Sequence, residues 1–199
     1  MVQRVRLYAT RVFVAVLLIL LFIGGSRWED TFPMVSSVLF WAGCVLVGIA
    51  SLGRLWCSLY IAGYKEKQLI TAGPYSICRN PLYFFSMIGG VGVGLASETL
   101  TIPAVIAAAF ALYYPAIVHY EEGNLRRLHG ELYDAYVRRT PQFWPKWSLL
   151  TEPDQCVVNP KIFRKHIFSA LWFIWAIGIL ELIEELHGLH FVNEYFSFY

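Results

Sequence analysis

Long runs of apolar residues most strongly limit what this chain of 199 residues can fold into. A run of about 20 apolar residues crosses a bilayer as a helix, because lipid offers the backbone no other hydrogen-bond partner. Five such runs occur, at about 8–25, 34–53, 82–98, 101–118 and 166–186. We therefore predict an all-α integral membrane protein with five transmembrane helices.

The composition argues against the alternative, a soluble helical core. Hydrophobic residues make up 57% of the chain and charged residues 15%, with a mean hydropathy of +0.52, whereas soluble domains contain about 25% charged residues. Residues 8–25 also have the basic start of a signal peptide. The apolar run is long for such a segment, and residues 23–26 are not a typical cleavage site, so we predict a retained helix.

The positive charges predict the orientation in the membrane. Cytoplasmic loops of membrane proteins are rich in Lys and Arg, and here only Arg27 falls on the other side. We therefore expect the N-terminus in the cytoplasm, the C-terminus outside, and a location in a bacterial inner membrane. A net charge of +2, carried next to apolar runs, does not indicate a nucleic-acid partner. The charges that set this orientation are Arg4, Arg6, Arg11, Arg54, Lys65, Lys67, Arg79, Arg126, Arg127, Arg138, Arg139, Lys146, Lys161, Arg164 and Lys165.

The four cysteines form no C-x-x-C pair. The sequence therefore supports neither a disulfide framework nor a metal site, and we predict no metal. Three of the cysteines lie in or beside apolar runs, which favours small buried thiols. Cys78 is the exception to consider, because the adjacent Arg79 could lower its pKa and make it reactive.

Polar residues are concentrated in two segments. The first polar segment, residues 73–83, contains two prolines, two tyrosines, Arg79 and Asn80. Asn80 followed by Pro81 is a typical helix start, with Asn as the N-cap and Pro at the first helical position. A cap and a contact to a ligand are compatible roles for Asn80, and the sequence leaves both open.

The second polar segment, residues 121–145, follows the fourth apolar run. Residues 120–137 have helical spacing, and Gly130 predicts a bend or a break within that stretch. Thr140 and Pro141 should end it. Residues 142–147 contain Phe, two Trp and Pro, which predicts a strap lying at the membrane interface with its rings at headgroup depth.

The predicted helix pair between the two polar segments should bring them together. If runs three and four are antiparallel neighbours, their cytoplasmic ends meet and form a polar, aromatic pocket. Ionisable residues at this depth are candidates for function. Two structural alternatives exist: the glutamates could form a solvated helix face, and Arg79 could be an anchor that reaches the interface. The residues that would meet are Arg79, Asn80, Tyr83, Glu121, Glu122, Tyr133 and Tyr136.

The two segments resemble the signature of a known family. Gly73-Pro74-Tyr75, Arg79-Asn80-Pro81 and Tyr83 are similar to the "GPY…RHP…Y" pattern of the isoprenylcysteine carboxyl methyltransferases and of their wider relatives, which include phospholipid methyltransferases. The second segment is similar to the "EE..L….GE.Y..Y..R.P…P" pattern of the same family, and it carries Glu121, Glu122, Leu125, Gly130, Glu131, Tyr133, Tyr136, Arg139, Pro141 and Pro145. The resemblance covers about residues 50–147 and places its catalytic core there, within one domain spanning 1–199.

The resemblance implies that the protein transfers a methyl group from S-adenosylmethionine. Tyrosine faces suit its sulfonium cation, flat apolar side chains suit adenine, and the amino acid end requires donors and acceptors. The implied cofactor site is cytoplasmic and is formed by the loop before helix 3 and the segment after helix 4. The implied contacts are Tyr75, Asn80, Tyr83, Glu122, Leu125, Tyr133 and Tyr136, with Pro141 and Pro145 shaping a lid.

The resemblance further implies catalytic or substrate-orienting roles for Arg79 and Glu122, followed by Glu121. Arg79 could hold a carboxylate or phosphate of the acceptor, and a glutamate could take a proton from an amine or thiol. Neighbouring helical residues differ by about 100° in direction, so which glutamate faces the site stays open. Asn80 departs from the family pattern, which has His there, and unlike His it does not titrate near neutral pH.

The acceptor is expected to be lipophilic, reaching the site from the bilayer among the surrounding membrane lipids. The carboxylate of a prenylated cysteine is the leading candidate, and a phospholipid amine or a small thiol or amine is the alternative. A non-catalytic transport or assembly protein is the alternative of another class. Ionisable residues inside the spans would favour a transporter, but here they cluster at one end, apart from Glu98 and residues 181–185.

Overall fold

Helices dominate the computed structural model, which describes residues 12, 15–22, 24–62, 68–189 and 196–199. Residues 15–22 are helical. The elements that follow are β1 (Gly24–Ser26), α1 (Arg27–Thr31), α2 (Pro33–Ile61), α3 (Pro74–Ile77), α4 (Pro81–Ala96), α5 (Thr101–His129), α6 (Glu131–Arg139), a 3₁₀ turn (Trp147–Leu149), α7 (Pro160–Gly188) and β2 (Phe196–Phe198).

Helix α4 is the centre of the fold, because it packs against α2, α5 and α7. Its contact with α2 is close enough to require glycine on both sides. A Cβ atom on Gly43 would lie 2.5 Å from the backbone of Gly92 and Ala96, and one on Gly92 would lie 2.9 Å from Leu46. The backbones therefore approach each other directly, which fixes the register of α4 against α2.

Within the described residues, three helices are long and apolar enough to cross a membrane, namely α2, α5 and α7. They coincide with the second, fourth and fifth predicted spans. The third predicted span, 82–98, is the shorter apolar helix α4 of 16 residues. The first, 8–25, lies partly outside the described residues, and its residues 15–22 are helical. The helical membrane architecture is therefore confirmed, while the count of five spans stays a prediction.

Helix α2 extends beyond the second predicted span, 34–53, and continues to Ile61. Arg54 therefore lies within a helix. Its guanidinium donates to the Ser86 hydroxyl of α4 and, at 2.9 Å, to the Ser169 hydroxyl of α7. Arg54 therefore ties three helices together, a role that its sequence neighbours do not reveal.

The all-α fold class is confirmed, and two short strands accompany the helices. Strands β1 and β2 form a two-stranded parallel sheet, with Gly24 opposite Phe196 and Ser26 opposite Phe198. Beyond β2, the Tyr199 carbonyl accepts from the backbone N–H groups of Leu100 and Thr101 at 2.8 Å. The Tyr199 oxygen thus accepts from backbone N–H groups that have no partner within the helix at the start of α5. Two pieces distant in sequence create this sheet, so no local pattern announces it.

The predicted break at Gly130 is confirmed. Helix α5 ends at His129 and α6 begins at Glu131, while Gly130 has a positive φ of 52°. Helix α6 ends at Arg139, so Thr140 and Pro141 do stop it. The break turns α6 out of line with α5, and the chain after α6 then returns toward the start of α4.

Candidate active site

The start of α4 and the end of α5 lie together, as the sequence predicts. Arg79, just before α4, forms an ion pair with Glu122 of α5 at 2.8 Å between Nη1 and Oε1. The two side chains are only 12% and 19% exposed. Shielding from water strengthens such a pair and also raises the cost of leaving either charge alone.

Asn80 occupies the N-cap position of α4, but its side chain makes no capping bond. Its Nδ2 atom instead donates to the Gln142 carbonyl at 3.1 Å and makes a longer contact of 3.5 Å with Glu122 Oε1. Of the two roles left open by the sequence, the side-chain cap is therefore wrong. Asn80 links the glutamate of the site to the strap that follows α6.

Glu121 also faces the site. The Tyr83 hydroxyl, one turn into α4, donates to Glu121 Oε1 at 2.8 Å. The two neighbouring glutamates therefore have different partners: Glu122 pairs with Arg79, just before α4, and Glu121 accepts from Tyr83 within α4. Both glutamates thus contact the first polar segment.

Helix α6 supplies an aromatic wall. Tyr133 and Tyr136 are 1% and 3% exposed, and the Tyr136 hydroxyl donates to the Tyr75 carbonyl at 2.6 Å. Burial raises the pKa of Tyr75, Tyr133 and Tyr136, so all three are neutral phenols at physiological pH. Leu125 lies one turn beyond Glu121 on α5 and is partly buried.

Arg79 Nε and the Tyr133 hydroxyl are buried and make no well-formed hydrogen bond in the described part of the chain. The Arg79 side chain nevertheless lies within hydrogen-bonding reach of the Tyr133 hydroxyl, where it opposes the rise in pKa that burial causes. Buried donors nearly always have partners. Arg79 Nε, next to the ion pair, therefore fits a ligand that carries an anionic group, such as the carboxylate of an amino acid.

A strap covers the site from the other side. The backbone N–H of Arg79 donates to the Pro141 carbonyl at 2.8 Å, and the N–H of Lys146 donates to the Ile77 carbonyl at 2.9 Å. Farther on, the Thr151 N–H donates to the Ser76 hydroxyl at 3.0 Å. The predicted strap, residues 142–147, is therefore bound to the first polar segment through its backbone.

An aromatic cluster lies beside the charged groups, and sequence reasoning missed it. Tyr114 of α5 contacts Phe110, Tyr83 and Phe143 of the strap, with centroid distances of 5.3, 5.6 and 4.7 Å. Phe84 and Trp144 extend the cluster. The spacing gave a signal, because Tyr114 lies seven residues before Glu121 and so on the same helix face.

Cys78 is not a reactive thiol in this site. Its side chain is buried, and burial raises its pKa to about 12 in spite of the adjacent Arg79. The thiolate is therefore scarce at neutral pH. Among the described residues, no group of three or more His, Cys, Asp or Glu side chains is placed to hold a metal ion.

Fold and site together define a helical membrane protein with a polar, aromatic site where two antiparallel helices meet. Comparison with known proteins then identifies the family. The profile of the phospholipid methyltransferase family matches residues 34–131, which include α2, α4 and α5. The chain belongs to this family of integral-membrane methyltransferases, and the resemblance found in its sequence is thereby confirmed.

Curated relatives match over most of the chain. The nickel-cobalt-cadmium resistance protein NccN of Alcaligenes xylosoxydans xylosoxydans is 41% identical over 181 residues, 91% of this chain and 84% of the relative. The cobalt-zinc-cadmium resistance protein CzcN of Cupriavidus metallidurans is 40% identical over 184 residues, covering 92% and 84%. Protein-S-isoprenylcysteine O-methyltransferase B of Arabidopsis thaliana is 28% identical over 125 residues, covering 59% and 60%. No solved structure matches the chain.

Proposed function

We propose that the protein is a membrane-embedded methyltransferase that uses S-adenosylmethionine and acts on a lipophilic acceptor. The observation that carries this proposal is the meeting of the two polar segments, in which Arg79 pairs with Glu122 and Tyr83 binds Glu121. Membership of a methyltransferase family supplies the reaction class. The bound cofactor would supply the methyl group.

The chain's own residues would bind and orient the reactants. Arg79 Nε makes no well-formed hydrogen bond among the described residues and fits the carboxylate of the cofactor or of the acceptor. Neutral tyrosine rings offer their faces to a cation. Methyl transfer requires an in-line approach, so holding both reactants still is the main contribution to the rate.

The acceptor determines what the glutamates must do. A carboxylate, such as that of a prenylated cysteine, is already deprotonated and requires no base. A phospholipid amine must lose a proton, which a carboxylate of the site could accept. The description of the matched family favours the phospholipid, while the Arabidopsis relative is named for the prenylated cysteine.

Calorimetric titration of the purified protein in detergent with S-adenosylhomocysteine tests the cofactor. We expect binding for the wild type. Absence of binding at protein concentrations well above micromolar would leave the non-catalytic membrane protein as the better interpretation. If the ligand binds, transfer of radiolabelled methyl to phosphatidylethanolamine or to N-acetyl-S-farnesylcysteine distinguishes the two acceptors.

A matched pair of glutamate variants then tests the site. We expect Glu122→Gln to lower kcat about 100-fold, as is typical when a charged group is removed from a preorganised site. Glu185→Gln is the control, because Glu185 is exposed near the far end of α7. Equal activities for the two variants would remove Glu122 from the proposed mechanism.

The names of two relatives connect those proteins with metal resistance.

A further inference from the structure

The aromatic cluster beside the charged groups contains the hydroxyl of Tyr114. The ring of Tyr114 is nearly parallel to that of Phe110, at an interplanar angle of 16°, and Phe143 and Tyr83 close its other sides. These rings come from α5, from α4 and from the strap. The Tyr114 side chain is therefore fixed from three directions.

The Tyr114 hydroxyl is buried and has no hydrogen-bond partner among the described residues. Hydroxyl groups can rotate to find donors and acceptors, and buried ones nearly always do. A phenylalanine would fill the same space without the cost of an unpaired group. The hydroxyl therefore fits a partner that arrives with a bound molecule.

Three residues of different polarity lie on this face of α5 in steps, with the buried, apolar Val118 between the second and the third. Phe110 is apolar, Tyr114 adds one hydroxyl, and Glu121 carries a charge two turns later, about 10 Å along the helix axis. Tyr83 joins the last two steps, because its ring contacts Tyr114 and its hydroxyl binds Glu121. This order matches an amphipathic molecule with an apolar chain, then an oxygen, then the group that reacts.

The cluster also reaches the molecular surface. Trp144 is 69% exposed and lies 5.4 Å from Phe143 and 6.1 Å from Phe84 between ring centroids. An apolar chain can therefore contact the cluster without first crossing the charged groups around Arg79 and Glu122.

We propose that Tyr114 recognises the methyl acceptor, with its hydroxyl donating to a carbonyl, ester or carboxylate oxygen of a lipophilic molecule whose chain lies on the aromatic cluster. This inference rests on the proposed function and specifies the acceptor side of the same site. A glycerol ester of a phospholipid and the carboxylate of a prenylated cysteine share this oxygen chemistry.

Tyr114→Phe tests the inference, because it removes only the hydroxyl. Tyr113→Phe is the matched control, because Tyr113 directly precedes Tyr114 and its side chain is 40% exposed. The full chain is assayed with S-adenosylmethionine and two probes, phosphatidylethanolamine vesicles and N-acetyl-S-farnesylcysteine. We expect Tyr114→Phe to raise KM about 5-fold for a neutral ester oxygen and about 10-fold or more for a carboxylate, with kcat little changed. Tyr113→Phe should leave KM unchanged.

Two further readouts separate recognition from a structural role. Affinity for S-adenosylhomocysteine should be equal in the wild type and both variants, and the Tm of Tyr114→Phe should equal or exceed that of the wild type. An unchanged KM, a lowered Tm, or cofactor binding without methylation of either probe would overturn the inference. Failure of the wild type to bind S-adenosylhomocysteine would instead overturn the proposed function.

Discussion

At the scale of single residues, the ion pair between Arg79 and Glu122 is the contact with the largest consequences. Both side chains are largely shielded from water, so removal of one partner leaves a poorly solvated charge. We expect Arg79→Ala to destabilise the protein by about 3 kcal/mol and to reduce turnover more than affinity for S-adenosylhomocysteine. Thermal unfolding in detergent and calorimetry measure the two effects.

Arg126 provides the control for that prediction. It pairs with Asp134 at the same distance, 2.8 Å, but the two side chains are 59% and 45% exposed. Exposed pairs contribute little to stability, so Arg126→Ala should leave the Tm almost unchanged. If Arg79→Ala and Arg126→Ala lower the Tm equally, burial does not make the Arg79–Glu122 pair more important for stability than the exposed Arg126–Asp134 pair.

At the scale of elements, the turn before α3 decides how the first polar segment meets the rest of the fold. Gly73 has a φ of +59°, and a Cβ atom there would lie 2.3 Å from the ring of Tyr60. Its N–H donates to the Thr151 carbonyl at 2.8 Å. One glycine therefore joins α2, the turn and the chain beyond the strap.

Substitution of this glycine should be costly for two independent reasons, backbone strain and overlap with Tyr60. We expect Gly73→Ala to lower the stability by about 2 kcal/mol or more and to weaken binding of S-adenosylhomocysteine. Gly123→Ala is the control, because Gly123 lies within α5 with no atom within 4 Å of the added carbon. That change should stabilise the helix by about 0.5–1 kcal/mol. We therefore expect Gly73→Ala to lower the Tm and Gly123→Ala to raise it. A lower Tm in both variants would contradict the role assigned to Gly73.

The elements also show why part of the site escaped sequence reasoning. The spacing predicted the break at Gly130 and the helix start at Pro81, because both depend on local backbone preferences. The bond from Asn80 to the Gln142 carbonyl depends on how the strap returns to α4, which no local pattern encodes. For the same reason the sequence leaves open whether the Asn80 side chain caps α4, and in the structure it makes no capping bond although Asn80 occupies the N-cap position.

At the scale of the whole molecule, the buried tyrosine and cysteine side chains around the site predict how stability depends on pH. Burial raises the pKa of Tyr75, Tyr133 and Tyr136 and raises that of Cys78 to about 12. The unfolded chain releases these protons first, near pH 8.5 for Cys and near pH 10 for Tyr. Their contribution to stability is therefore complete below about pH 8.5 and is lost progressively at higher pH.

We expect the Tm in detergent to be constant between pH 7 and 8 and to fall increasingly above pH 9. Tyr136→Phe should be less stable than the wild type at pH 7, because it lacks the bond to the Tyr75 carbonyl, but it should lose less Tm on going to pH 10.5. A Tm that stays constant up to pH 10.5 would show that these groups ionise equally in the folded and unfolded protein.

The sequence by itself determined the helical membrane architecture and the two polar segments, because apolar run length and turn chemistry are local properties. It also indicated the family, since both segments carry motif residues. Only the tertiary structure decided which side chains meet: Arg79 with Glu122, Tyr83 with Glu121, Arg54 with two other helices, and β1 with β2. Each of these contacts joins residues that are tens of positions apart in the sequence. They form only when the helices pack against α4.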